Sequence, residues 1–453
     1  MGDSVAREDD QGRQQFMNDL IQVARGEKKA DLLLKNAWIV NVFTGTIDSG
    51  DVAIYNGRIA GIGNYEAEKE IDLRGSYLTP GFIDSHVHIE SSMVSPEEFA
   101  STVIKHGTTT VVADPHEIAN VAGKTGIAYM LEASKSLPVS IYFMLPSCVP
   151  ATHLETSGAT LSASDLKSLF KEKSVLGLAE MMNFPGVLHR DPIVLEKLES
   201  FESKLIDGHA PGLSGKDLCA YMAVGIYSDH ESTTPEEALE KLRLGMYIML
   251  REGTAAKDLK KLLPIIDDFT APRCLLSTDD RHPEDLIEEG GIDLLLRMAM
   301  KEGVHPIRAI QLATLNPANY FGLKDRGAIS PGRIADLVVL NDLEAVKVSS
   351  VLKDGRMAVR EGELLLKPKK KAVPAKIKKN IKIEEVKPGH FEIPRRRRGK
   401  CRVIDIIPNE IITKQAVVPP KTKEGRIISD TERDIIKIAI IERHSGTGNM
   451  FVG

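Results

Sequence analysis

From residue 82 to about residue 305 the sequence alternates short apolar runs with amphipathic segments, eight of each. The runs begin near Phe82, Thr109, Ser140, Ser174, Lys204, Gly225, Met246 and Arg273. Between them lie segments 96–106, 124–136, 163–172, 192–203, 215–223, 235–244, 256–266 and 283–302. Short apolar runs bounded by turn residues read as buried parallel strands, and the longer periodic segments as the helices that cover them. Ser95-Pro96-Glu97-Glu98 and Thr234-Pro235-Glu236-Glu237 each supply an N-cap hydroxyl, a proline at the first helical position and a glutamate at the third. Successive βα units over roughly 220 residues predict an α/β chain built on a TIM-type (β/α)8 barrel, not an open sheet.

Barrels of this kind carry their chemistry at the C-terminal ends of the strands. The first run ends in His86-Val87-His88. On a strand the i, i+2 spacing puts both imidazoles on one face, whereas a helix would turn them about 200° apart. Two imidazoles on one face are half of a transition-metal site. The second run ends in Asp114-Pro115-His116-Glu117, the fourth in Glu180, the fifth in His209, the sixth in His230 and the eighth in Asp279. Any one of these alone reads as a structural polar residue; together, at successive strand ends, they read as a metal centre. Asp114, His116 and Glu117 fit substrate contact, proton transfer or a further metal, or else a charged loop. Arg251, closing the seventh run, reads as a substrate contact or as a surface partner of Glu252. His106, His153, His189, His282 and His305 fall outside the series and read as surface or capping residues.

The flanks differ. A helical preamble is expected over 1–26, then short strands with Asn56-Gly57 as a turn, forming the first part of a small β-sandwich over 27–78. The barrel then takes 79–320, and strands over 321–366 supply the second part of the sandwich. Residues 367–400 form a basic connector, rich in lysine and including Arg395 to Arg398. No aromatic platform accompanies these charges and the net charge is −5, so a solvated connector is favoured over a nucleic-acid surface. From residue 401 to 453 an apolar pattern resumes, read as the start of a C-terminal α/β or β domain that the chain leaves incomplete. Four scattered cysteines point to a reducing compartment, and the polar N-terminus and lack of a long apolar run point to a cytoplasmic protein with no membrane partner.

The His-x-His, strand-4 carboxylate, strand-5 His, strand-6 His and strand-8 Asp series resembles the amidohydrolase superfamily of metal-dependent hydrolases. The segments Pro80 to Met93, Ala113-Asp114-Pro115-His116-Glu117, Gly208-His209-Ala210-Pro211 and Ser277 to Pro283 resemble bacterial and archaeal adenine deaminases within it. The likeness runs from residue 14 to the C-terminus. It implies two divalent cations, Mn2+ or Fe2+ with Zn2+ as an alternative, bridged by Glu180 through its two oxygens. His86, His88 and Asp279 would hold one cation, His209 and His230 the other. The implied reaction is hydrolysis of adenine to hypoxanthine and ammonia. Water activated by the metals would attack C6, with Asp279 moving the proton. Glu90, His116 and Glu117 are candidates for protonating the ring, and Glu90, Asp114 and Arg251 for holding the substrate. The resemblance also implies a homodimer. A cyclic-amide hydrolase or an N-acetyl-sugar deacetylase would use a similar set of ligands but matches less well around Ile89 to Met93 and Asp114 to Glu117. The HxE and PCxxC pattern of small zinc nucleobase deaminases is absent.

Overall fold

A computed structural model describes residues 2–395 and 399–453, so the Arg396 to Arg398 part of the basic connector lies outside the described residues. A helix, Gly2–Ala24, leads into five strands: β1 (Ala30–Asn41), β2 (Thr46–Tyr55), β3 (Arg58–Ile62), β4 (Ala67–Asp72) and β5 (Tyr77–Pro80). Eight more follow: β6 (Phe82–Val87), β7 (Thr108–Ala113), β8 (Ser140–Leu145), β9 (Val175–Met181), β10 (Leu205–Gly208), β11 (Ser228–Asp229), β12 (Tyr247–Arg251) and β13 (Cys274–Ser277). These fall close to the eight expected runs. Four strands return to the first group: β14 (Leu337–Leu340), β15 (Val348–Lys353), β16 (Arg356–Arg360) and β17 (Glu363–Leu364).

Strands β6 to β10 form a five-stranded parallel sheet and β11 to β13 a three-stranded one. Their residues are buried on both faces, which is why they read as continuous apolar runs and not as alternations. The sheets curl towards each other at one seam. A parallel bridge joins Val87 to Asp279, with Asp279 N–H donating to the His86 carbonyl at 2.9 Å and His88 N–H to the Asp279 carbonyl at 3.2 Å. At the other seam Gly208 N–H donates to Ser228 Oγ at 3.1 Å. Thr234 caps the helix Pro235–Arg243 by accepting from Glu237 N–H, as its sequence predicts.

The flanking strands form one nine-stranded sheet in the order β17-β16-β15-β14-β5-β1-β2-β3, with β4 also pairing β1. The Asn56-Gly57 turn implies antiparallel pairing in the N-terminal part, and β2 does pair antiparallel with β1 and β3. By contrast, β4 and β5 run parallel to β1, because each returns through a connection instead of a tight hairpin. Both flanks contribute, since β5 pairs antiparallel with β14. Leu34, Ile39, Val52, Ile54, Leu78, Leu337, Val339 and Leu352 bury against one another in its core.

Of the two alternatives expected for the last stretch, α/β or β, the described residues show strands. Among the described residues, 401–453 hold no helix. They form the hairpin Cys401–Ile406 with Thr413–Val418, the hairpin Ala439–Ile441 with Met450–Val452, and two short strands pairing with each other and with Ile393–Pro394. Its isoleucines fall on two-residue spacings that suit strands, and Ile406, Ile436 and Phe451 stay largely exposed. No helix among the described residues is long and apolar enough to cross a membrane.

Candidate metal centre and active site

Glu180 lies at the middle of the site. It is 2% exposed on β9, and its two oxygens face different partners. Oε1 is 3.3 Å from His88 Nε2, 3.8 Å from His86 Nε2 and 3.2 Å from His116 Nδ1. Oε2 is 2.6 Å from His209 Nδ1 and 3.1 Å from His230 Nε2. Burial alone would raise this carboxyl, but His230 and His209 outweigh it and hold Glu180 well below the usual range.

His86 and His88 leave β6 on the same side, their Nε2 atoms 3.0 Å apart. Burial, reinforced by His230 and His88, holds His86 well below the usual imidazole range, so the ring is neutral and able to donate a lone pair. His88 Nδ1 lies 3.0 Å from the Asp114 carbonyl, which leaves Nε2 facing the site. Asp279 Oδ1 is 3.1 Å from His88 Nε2 and 3.6 Å from His86 Nε2. Asp279 sits just beyond β13 with φ +55°, a left-handed conformation that aspartate tolerates better than most residues. The preceding turn is pinned by Asp84, which accepts from Thr278 N–H at 3.1 Å and Thr278 Oγ at 2.5 Å.

Thus the structure brings together all six residues read as metal ligands. It adds Glu231, which the sequence reading passed over although it directly follows His230. Glu231 Oε1 lies 3.4 Å from His230 Nε2 and 3.8 Å from His209 Nδ1. Asp280 was also missed: it is grouped with His88 and Glu117 and accepts from Ser91. The alternative surface pair of Arg251 with Glu252 does not form. The Arg251 guanidinium is buried, donating to Glu231, to Asp279 Oδ2 at 2.9 Å and to Asp258 Oδ2 at 3.0 Å. Both terminal guanidinium nitrogens thus face carboxylates, while Nε is buried without a hydrogen-bond partner.

His116 and Glu117 open a helix, His116–Ala133, instead of lying in a loop or ahead of a helix starting near residue 124. His116 Nδ1 is 2.9 Å from Asp114 Oδ2 and Glu117 Oε1 is 3.4 Å from His88 Nδ1. Glu90, on the short turn Ile89–Ser92, accepts from Ile118 N–H, and burial with Glu117 nearby pushes its carboxyl up to about 8. Of the histidines set aside, His106 pairs with Asp293 at 3.2 Å, and His282 and His305 sit at helix starts.

The donor set suits divalent cations. Glu180, Asp279, Glu231 and Asp114 are buried around the site with Arg251 as the guanidinium beside Glu231 and Asp279, Glu117 is partly exposed and Asp280 exposed at the rim, and Glu231 Oε2 and Asp114 Oδ1 have no hydrogen-bond partner. Such a concentration of buried carboxylates calls for cations. The set of imidazole and carboxylate donors, without thiolates, suits divalent first-row metals and does not select among them.

Comparison with known proteins agrees with this chemistry. The model of the amidohydrolase family matches residues 77–358, and the chain belongs to that family. Within it the chain groups with the adenine deaminases. It is 51% identical over 440 residues to adenine deaminase 2 of Carboxydothermus hydrogenoformans, covering 96% of this chain and 76% of that one. Similarly, it is 50% identical over 439 residues to an adenine deaminase of Desulfatibacillum aliphaticivorans, with the same coverages. The chain therefore spans about three quarters of the length of these relatives. A solved D-hydantoinase superposes with a TM-score of 0.56 at 17% identity, covering 74% of this chain and 96% of its own, which shows likeness of fold.

Proposed function

We propose that this chain hydrolyses adenine to hypoxanthine and ammonia at a centre holding two divalent cations, Mn2+ or Fe2+, at the mouth of a closed (β/α)8 barrel. The observation that carries the two-cation reading is the division of Glu180, with one oxygen facing His86 and His88 and the other facing His209 and His230. Asp279 completes the first set and Glu231 lies beside the second. Closure of the barrel is supported by the paired hydrogen bonds between the β6 end and Asp279.

When bound, the cations supply a Lewis acid that makes water a nucleophile near neutral pH. The chain's own groups do the rest. Asp279 takes the proton of the attacking water on Oδ1, while Arg251 fixes its Oδ2. Water oxygen bonds to C6 while a ring nitrogen takes up a proton; the C6–N bond then breaks as Asp279 returns its proton to the departing amine, and the C6 hydroxyl proton goes back to the group that protonated the ring. Glu90, His116 and Glu117 line the same mouth and are the groups for contact with and protonation of the purine ring, with Asp114 holding His116. High identity to named adenine deaminases selects this substrate over cyclic amides and N-acetyl sugars. A cytoplasmic homodimer is the assembly the family resemblance implies, and analytical ultracentrifugation tests it.

The test is adenine turnover by protein loaded anaerobically with Mn2+ or Fe2+, followed by the absorbance change to hypoxanthine, beside Glu180→Gln. Turnover by the parent and its loss in the variant is expected. Turnover of a cyclic amide or N-acetyl sugar in place of adenine would overturn the substrate assignment.

A further inference from the structure

The loop that carries His209 and the strand end that carries His230 are tied together by one buried ion pair. Lys241, on the helix Pro235–Arg243, is fully buried, as is Asp229 at the end of β11. Lys241 Nζ, with three N–H donors, lies 2.9 Å from Asp229 Oδ2, 2.8 Å from the Ala210 carbonyl, 2.7 Å from Glu237 Oε1 and, farthest, 3.1 Å from Ser232 Oγ. Asp229 accepts Ala210 N–H on Oδ1 at 2.9 Å and Ser232 Oγ on Oδ2 at 2.7 Å. The peptide groups on both sides of Ala210, the residue after His209, are therefore held by the residue before His230 and by its lysine partner. The same helix reaches the loop twice more, since Gly212 N–H donates to Glu237 and Gly215 N–H to Glu240, each at 2.8 Å.

An ion pair this deeply buried contributes little net stability compared with an apolar pair of the same shape, because desolvating both charges costs as much as their attraction returns. What it supplies is a single geometry. Ammonium and carboxylate here satisfy donors and acceptors from β10, β11 and the following helix at once, and neither faces the site. Slack in this tether would move His209 relative to His230, and small misplacements of ligands weaken metal sites strongly.

We infer that the Asp229–Lys241 pair is a positioning device for the second cation site: it fixes His209 and His230 in register for one metal ion. It touches neither the substrate nor the cation. This rests on the two-cation reading proposed above.

The experiment uses the full chain with Asp229→Asn and Lys241→Met combined, so that no lone buried charge remains. The control is Asp336→Asn with Lys353→Met, an equally buried pair (2.9 Å) in the nine-stranded sheet, remote from the site. Bound Mn2+ per chain is measured by elemental analysis after equilibrium dialysis, with melting temperature, kcat and KM for adenine. The parent and the control should bind two equivalents. The Asp229/Lys241 variant should keep the parent's circular dichroism but lose one equivalent, or bind it at least tenfold more weakly, with a fall in kcat and little change in KM. If the double variant does not fold, Lys241→Gln, whose two amide N–H groups cannot reach Asp229, the Ala210 carbonyl and Glu237 together, should weaken the second equivalent in the same direction by a smaller factor. A folded variant with two tightly bound equivalents and unchanged kcat overturns the inference. So does equal metal loss in the control, which would mark a general stability effect. A parent that binds fewer than two equivalents overturns the two-cation reading itself, and the inference with it.

Discussion

Replacing Arg251 by methionine removes the guanidinium that faces Glu231, Asp279 and Asp258 inside the site. All four side chains are almost entirely buried, so the carboxylates cannot turn to solvent when it goes. Each hydrogen bond to a charged group is worth about 1.5–3 kcal/mol. Three such bonds do not simply add, because forming the cluster has already desolvated every member; removing one partner of a buried ionic cluster costs about 3–5 kcal/mol. We therefore expect Arg251→Met to lose about 3–5 kcal/mol of stability in cation-free protein. Arg251→Lys keeps the charge but cannot span Asp258 on one side and Glu231 with Asp279 on the other, so it should lose about 1–2 kcal/mol. Urea unfolding of chelator-treated protein, followed by far-ultraviolet circular dichroism, measures both as changes in midpoint multiplied by m. Cations bind the folded site only and should shrink both losses when added back. A methionine variant within about 1 kcal/mol of the parent, or one equal to the lysine variant, would refute the view that Arg251 is the charge on which these carboxylates depend.

Two further effects follow from packing and burial. A Cβ at Gly177 would lie 2.1 Å from the Leu205 carbonyl oxygen and 2.8 Å from Met144 Cε, so Gly177→Ala should push β10 from β9 and cost about 3 kcal/mol, seen as a lower melting temperature with reduced metal uptake; an unchanged melt contradicts this. Burial pushes the Glu252 carboxyl up to about 7, with Lys257 and the Leu259 amide opposing. Because the folded-state value is raised, the stability present below pH 4.5 is lost as pH rises through about 7. Relaxation of the surroundings around the charged carboxylate cuts the full difference of about 3 kcal/mol to about 1 kcal/mol, so Glu252→Gln should gain about that much on the parent at pH 8 relative to pH 5. Equal differences at both pH values would sink it.

The succession of strands and the His, Asp and Glu side chains at their ends were legible because both depend on local pattern. Continuous apolar runs mark strands buried on both faces, and His86 with His88 declares a face by spacing alone. The helix after β7 was placed too late because Gly123, at φ +58° and ψ −143°, interrupts its periodicity and hides the turns before it. That shift kept His116 and Glu117 from being seen as first-turn residues facing His88. Glu231 and Lys241 were missed for a different reason. Their partners lie 20 and 12 residues away in sequence, at Arg251 and Asp229, and only the curvature of the parallel sheet brings them together. The parallel pairing of β4 and β5 with β1 also depends on connections that no local pattern encodes.

Deamination of adenine is proposed to need two cations bridged by Glu180. The most direct test is to titrate Mn2+ anaerobically into metal-free protein, measuring bound metal and conversion of adenine to hypoxanthine on the same samples. Conversion should rise with bound metal and level off at two equivalents per chain, with Glu180→Gln failing to reach that level. Full activity at one equivalent, or two bound equivalents with no conversion of adenine, would contradict it.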